Sequence, residues 1–167
     1  MTFASEAIEP LRFRQALGQF ASGVTIITSQ LSEGPVGFTC SAFYSVSVSP
    51  ALVSFCVKKQ SASYPAIRQT GRFAINMLSA EQAALSSRFA QRGADKWQGV
   101  EWSLSPLGNP LLAGSMQWLD CEIYAEHEAG DHLMVIGQVK ALNQATACQP
   151  LIHFTGQYRE LAEHLPS

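Results

Sequence analysis

The sequence predicts a mainly β protein whose antiparallel strands close into a barrel, with a few short helices beside it. Three observations support this fold class. At least six segments carry the β-branched and aromatic residues that are typical of strands. Glycine and proline turns separate these segments. Helical patterns do not alternate regularly with the strands, so a doubly wound parallel sheet is disfavoured.

Length and composition predict one domain that covers residues 1–167, with a core at about 12–161. Hydrophobic residues make up 47% of the 167 residues and charged residues only 14%. This low charge density indicates that a partner subunit, a bound cofactor or both cover some apolar surface. The formal net charge is -2 and there is no basic run, so nucleic acid is not an expected partner.

The sequence also predicts a cytoplasmic protein that has no membrane contact. No N-terminal segment combines a basic start with a long apolar core, and no apolar run reaches spanning length. The four cysteines are scattered and form no C-x-x-C pair. Reduced thiols in the cytoplasm are the simplest explanation of this pattern.

The first third of the chain predicts one helix and three strands. Phe13, Leu17 and Phe20 fall at helical spacing between Pro10 and Gly23. The strands that follow are predicted at residues 24–29, 37–49 and 52–57.

Two short helices are predicted in the middle of the chain. Ser63 is the expected N-cap of the first helix, which ends at Gly71, and a strand follows at residues 73–78. Ser79 and Gln82 match a capping box, which opens the second helix.

Residues 92–116 hold many glycines and prolines together with two tryptophans, and they predict an irregular excursion. Loops of this length are usually functional or lie at an interface. Strands are predicted on both sides of a tight turn at residues 130–132, and a last segment occupies residues 151–161.

The stretch at residues 37–50 is rich in small hydroxyl side chains, carries no charge and includes Phe38, Phe43, Val46 and Val48. Such a mixture of polar and apolar groups suits a flat ligand with polar edges. Taken alone, the pattern favours a Ser/Thr-rich strand with one solvent-exposed face over a ligand site.

Neither covalent nor metal catalysis is predicted. The serines lack a G-x-S-x-G elbow, and no cysteine has a histidine near it in a recognisable pattern. The histidines do not show paired ligand spacing on one element, and so no metal site is expected from His127, His132, His153 and His164.

Two residues have competing interpretations. Asn76 is one amide in an apolar run, and it is either a satisfied core amide or a ligand contact. His132 follows Gly130 and Asp131 at a hairpin tip. It either binds a ligand there or is a turn residue without a binding role.

An ordered set of motifs runs along the chain, at residues 23–28, 38–47, 67–68, 71–76, 85–89, 130–132 with Gly137 and Val139, and Gly156 with Tyr158. Together these motifs resemble the short-chain flavin reductases, which are the reductase components of two-component flavin monooxygenases. The resemblance covers nearly all the chain, from about residue 12 to 161.

The resemblance implies an FMN-binding split β-barrel of the antiparallel Greek-key type, which forms a homodimer with flavin near the subunit boundary. It implies hydride transfer from NADH or NADPH to FMN or FAD, and delivery of the reduced flavin to a partner monooxygenase. The choice within each pair of cofactors stays open. So do a non-enzymatic flavin carrier and a reductase of the same fold that acts on a corrinoid or a metal complex. Residues 130–132 and Tyr158 favour the reductase, because a carrier needs no nicotinamide site.

The resemblance also implies the site residues. His132 is the catalytic candidate and, with Tyr158, stands on the nicotinamide side, while Lys58 or Arg88 would meet a flavin phosphate. The cofactor-binding residues that it implies are Thr39, Cys40, Ser41, Ala42, Ser45, Val46, Ser47, Cys56, Val57, Lys58, Ser61, Ser63, Asn76, Ser87, Arg88, Phe89, His132 and Tyr158.

Overall fold

The computed structural model describes residues 7–93 and 95–162, and it confirms a mainly antiparallel β fold with a few short helices. His164 lies outside these residues. The α-helices are α1 (Pro10–Leu17), α2 (Tyr64–Thr70) and α3 (Ala83–Ala90). The strands are β1 (Ser22–Gly23), β2 (Thr25–Leu31), β3 (Gly34–Cys40), β4 (Phe43–Ser47), β5 (Leu52–Lys58), β6 (Arg72–Met77), β7 (Trp102–Leu104), β8 (Pro110–Leu112), β9 (Gln117–Ala129), β10 (His132–Leu142), β11 (Ile152–Phe154) and β12 (Gln157–Arg159).

Seven of these strands form one sheet in the order β3-β2-β6-β9-β10-β5-β4. The two outer strands, β3 and β4, follow each other in the chain and are joined only by Ser41 and Ala42. The sheet must therefore curl until its ends meet. The backbone N–H of Cys56 on β5 donates to the Ala42 carbonyl at 3.1 Å, which holds the ends together. This is the antiparallel β-barrel that the sequence predicts.

The core has two parts, because successive side chains of a strand point to opposite faces of the sheet. Ile27 lies inside the barrel with Phe55 and Phe73, and its neighbour Ile26 lies outside the barrel with Phe89 of α3. All of these side chains are fully buried. Each contributes about 1.5–3 kcal/mol from the removal of apolar surface from water.

The hydroxyl-rich stretch is two strands and not one, and the difference creates a corner. β3 ends at Cys40 and β4 starts at Phe43. Between them, Ala42 accepts the hydrogen bond from Cys56, which turns the chain from one end of the sheet to the other.

The predicted capping box is confirmed, because the Ser79 N–H donates to Gln82 Oε1 at 3.0 Å and the Ser79 side chain accepts from the Gln82 backbone. The cap of α2 differs from the prediction. Ser63 makes no capping hydrogen bond, and the Ser61 hydroxyl accepts from the Tyr64 N–H at 3.2 Å instead.

The excursion at 92–116 contains the short β7–β8 hairpin, which the sequence did not predict. A buried carboxylate stabilises it: Asp120 accepts from the Leu107 N–H at 2.7 Å and from Asn109 Nδ2 at 2.8 Å. No helix among the described residues is long and apolar enough to span a membrane.

Candidate active site

A groove of about 680 Å³ opens where β3, the end of β5 and the segment after α3 converge. Its volume lies in the usual range of small-molecule sites. It brings together many of the residues that the sequence analysis named. Those that line it are Thr39, Cys40, Ser41, Ala42, Cys56, Val57, Lys58, Ser61, Ser63, Phe89 and His132.

The first wall of the groove is formed by β3 and β5. It carries two thiols, Cys40 on β3 and Cys56 on β5. Cys40 Sγ lies 3.5 Å from the Cys56 carbonyl, to which it donates. Burial raises the pKa of Cys40 to about 11 and also raises the pKa of Cys56. Both side chains are therefore neutral thiols near pH 7. They act as small apolar wall elements and not as nucleophiles.

The Thr39 hydroxyl is fixed by helix α3. It donates to the Ser86 carbonyl at 2.6 Å, and the Ser86 hydroxyl in turn accepts from Tyr158 at 2.8 Å. Because its proton is engaged, Thr39 can only accept hydrogen bonds from a ligand. Its acceptor capacity suits the ring N–H or a hydroxyl of a polar ligand.

The connection at 58–63 forms a second wall and is tied to the β9–β10 hairpin. The Lys59 N–H donates to the Asp131 carbonyl at 3.0 Å. At the start of α2, the buried Tyr64 hydroxyl donates to Glu126. The Glu126 carboxylate also pairs with Arg68 at 2.7 Å. Burial and the Glu126 carboxylate raise the pKa of Tyr64, so it remains a neutral donor.

His132 reaches the groove from a tight turn. The loop has two residues, and Gly130 has φ 62° at its first position, as type II′ turns require. Across the ladder His132 pairs with Lys58, and both line the groove. The strand register therefore fixes where the imidazole emerges.

The imidazole has a defined proton position. Asp131 Oδ1 lies 2.7 Å from His132 Nδ1, and this hydrogen bond lowers the pKa of Asp131. An ionised carboxylate only accepts, so Nδ1 carries the proton. Nε2 of the neutral ring is then an acceptor.

The third wall was missing from the predicted site residues. It is the segment after α3, and its lining residues include Arg92, Lys96 and Trp97. Trp97 packs edge-on against Phe89 with a centroid distance of 5.0 Å. The available sequence signal was the long excursion that starts at residue 92, which indicated a function without naming residues.

Asn76 lies in the core and not in the groove. It is fully buried, Nδ2 donates to the Ile26 carbonyl at 3.2 Å and to Thr28 Oγ1 at 3.0 Å, and Oδ1 accepts from the Leu112 N–H at 2.8 Å. These contacts occupy the amide, and we do not include Asn76 in the candidate site.

Other named residues also lie outside the groove lining. Arg88 is exposed on α3, and its guanidinium donates to the Gln98 carbonyl at 2.8 Å. Tyr158 lies behind the groove wall, beside Ser86. A bulge between Ser45 and Ser47 interrupts the pairing of β4 with β5. The remaining residues outside the lining are Ser45, Val46 and Ser47 on this outer strand and Ser87 on the exposed side of α3.

Comparison with known proteins agrees with this architecture. Over 155 residues, covering 93% of this chain and 80% of the relative, the sequence is 45% identical to the flavin-dependent monooxygenase reductase subunit HsaB of Rhodococcus jostii. It is 40% identical over 127 residues to the FMN reductase (NADH) SmoA of Agrobacterium fabrum, covering 76% of this chain and 72% of the relative.

A solved structure gives the same picture. The NADH:FAD oxidoreductase SgcE6 of Streptomyces globisporus, in complex with NAD and FAD fragments, superposes with a TM-score of 0.90 and is 32% identical. The match covers 97% of this chain and all of that one. The family model described as flavin reductase like domain matches residues 17–162, and this chain therefore belongs to the flavin reductase family.

Proposed function

We propose that this chain is the reductase component of a two-component flavin monooxygenase, which uses NADH or NADPH to reduce FMN or FAD for a partner oxygenase. The observation that carries the proposal is the groove itself: hydroxyl groups from the β3 corner and His132 of the β9–β10 hairpin face one cavity. Relatives named as flavin reductases and monooxygenase reductase subunits support the same activity.

The groove fits a flavin in shape and in chemistry. Phe38, Val57 and Trp97 give apolar surface for planar rings, and Thr39 and Ser41 give polar groups for the ring edge. When bound, the flavin supplies the hydride acceptor. The work left to the protein is to bind two planar rings in the correct order and to exclude water.

His132 has the position and the proton arrangement of a nicotinamide-orienting residue. With Nδ1–H donating to Asp131, Nε2 accepts a hydrogen bond from a carboxamide N–H₂. Asp131 thus positions the ring, and His132 meets the dinucleotide at the mouth of the groove.

We also propose that the working form is a homodimer in the cytoplasm. Apolar side chains of the N-terminal segment are widely exposed, including Ile8 at 72%, Leu17 at 56% and Phe20 at 67%. Monomeric proteins rarely leave such surface uncovered. All four cysteines are free thiols, as in reducing compartments.

Light scattering at low micromolar concentration should give twice the monomer mass, and a monomer mass there would refute the dimer.

The activity has a direct test. The purified chain should oxidise NADH or NADPH rapidly when FMN or FAD is added, and only slowly without added flavin. A visible spectrum beforehand shows how much flavin the protein already carries. A protein that binds flavin but does not oxidise either nucleotide would instead be a non-enzymatic carrier, and the proposal would be wrong.

A further inference from the structure

An acidic side chain lies on the inner face of the barrel, near the turn between β9 and β10. Glu126 on β9 pairs with Val135 on β10, and Val135 pairs on its other side with Phe55 on β5. Residues that pair directly across strands share one face of the sheet, and this face carries the buried Val135 and Phe55 of the barrel core. Only 16% of the Glu126 side chain is exposed. A carboxylate in such a place needs hydrogen-bond partners.

Helix α2 supplies two partners for this carboxylate. The Tyr64 hydroxyl donates to Glu126 Oε1, and Arg68 Nη2 lies 2.7 Å from Glu126 Oε2. Tyr64 is only 3% exposed, whereas 60% of the Arg68 side chain is exposed. An ion pair with an exposed partner contributes little to stability, but a buried hydroxyl that donates to a carboxylate makes a charge-assisted hydrogen bond. The Tyr64–Glu126 bond is therefore the stronger polar link between α2 and β9.

Tyr64 directly follows the second wall of the groove. Residues 61–63 line the groove, and Tyr64 itself does not. The Tyr64 N–H donates to the Ser61 hydroxyl at 3.2 Å, which joins the wall to the start of the helix. At the other end of the connection, the Lys59 N–H donates to the Asp131 carbonyl. The connection is thus tied to the β9–β10 hairpin twice, once at the turn and once through the carboxylate on β9.

The hydrogen bond adds a constraint that apolar packing does not supply. The Tyr64 ring packs edge-on against Phe55 at a centroid distance of 6.0 Å. Apolar contacts are non-directional, so this packing permits small shifts of α2 against the barrel. A hydrogen bond requires a defined distance and angle. It therefore fixes the start of α2, and with it residues 61–63, relative to the hairpin that carries His132.

Residues 61–63 and His132 line the same groove from different parts of the chain, so their separation sets its width. We propose that Tyr64 is a positioning residue of the groove, whose hydrogen bond to Glu126 holds residues 61–63 at the separation from the hairpin that bound flavin requires. This inference rests on the proposed function, because it takes flavin as the ligand of the groove.

Tyr64→Phe tests the link, because it removes only the hydroxyl and keeps the ring beside Phe55. We expect the FMN dissociation constant, measured by fluorescence titration, to rise about five- to tenfold. Without ligand, hydrogen exchange of the backbone amides at residues 59–64 should become at least about fivefold faster. A residue that only stabilises the fold would lower the denaturant midpoint and leave both readouts unchanged.

Two further variants are controls for this experiment. Ile75→Val shortens a fully buried side chain of β6 that does not line the groove, so it should lower the denaturant midpoint without changing either readout. Glu126→Gln keeps an oxygen acceptor for the Tyr64 hydroxyl, and its FMN dissociation constant should stay within about twofold of the wild-type value.

Wild-type values of both readouts in Tyr64→Phe would contradict the positioning role. Faster exchange without weaker FMN binding would also contradict it, because the link would then hold the connection without acting on the ligand. Equal weakening of FMN binding in Ile75→Val would reduce the effect to a loss of stability. A wild-type chain that does not bind FMN would instead overturn the proposed function, and the exchange measurement would still test the link between Tyr64 and the connection.

Discussion

Replacing Asn76 by alanine is expected to lower the free energy of unfolding by about 2–4 kcal/mol. The change leaves the Leu112 N–H without its acceptor and removes the donor that the Ile26 carbonyl and Thr28 Oγ1 share. These groups are buried, so water cannot replace the amide. The shift of the denaturant midpoint, at an unchanged slope, measures the effect.

The matched control for this variant is Asn143→Ala. Asn143 Oδ1 also accepts a backbone hydrogen bond, from Trp118, but the residue is only partly buried. Its replacement should cost less than about 1 kcal/mol, because water can take the place of the amide. Unchanged stability of Asn76→Ala together with weakened flavin binding would contradict the structural role and return Asn76 to the site.

His132→Ala is expected to lower kcat/KM for NADH about 10- to 100-fold while the flavin dissociation constant stays nearly the same. The variant loses Nε2, which under the proposed function accepts from the nicotinamide carboxamide, and it keeps the hydroxyls and backbone of the β3 corner. Steady-state rates over a range of NADH concentrations, measured beside a flavin titration, separate the two effects.

His127→Ala is the control for His132, since His127 is an exposed histidine of the same hairpin outside the groove lining. Its kinetics should match those of the wild type. A wild-type value of kcat/KM for NADH in His132→Ala would show that the imidazole is a turn residue without a role in binding. An equal loss of flavin affinity would place it against the flavin instead of the nicotinamide.

The fold was predictable because its signals are local. β-Branched runs, glycine turns and the Ser79–Gln82 capping box each specify structure within a few residues. The break between β3 and β4 was not predictable, because it depends on the Ala42–Cys56 hydrogen bond between distant parts of the chain. A uniform run of hydroxyl and apolar residues gives no sign of such a corner.

The candidate site was predictable in part for the same reason. The residues of the β3 corner and His132 carry motifs, and the structure places them in one groove. Asn76 and Tyr158 belong to matching segments too, but a motif does not tell which face of a strand its side chain occupies or what covers it. The sequence analysis did not name Lys96, because only the fold brings its side chain to the carbonyls of Gly37 and Phe89.

The central claim is that the groove at the β3 corner binds the flavin, and a matched pair of serine variants tests it most directly. Ser41 lines the groove, whereas Ser45 lies on the outer strand β4 and does not. In a flavin titration, Ser41→Leu should weaken binding at least tenfold, or about 1.4 kcal/mol, because the bulky side chain obstructs the groove. Ser45→Leu should leave the dissociation constant unchanged. Unchanged binding in Ser41→Leu, or a loss confined to Ser45→Leu, would contradict the account.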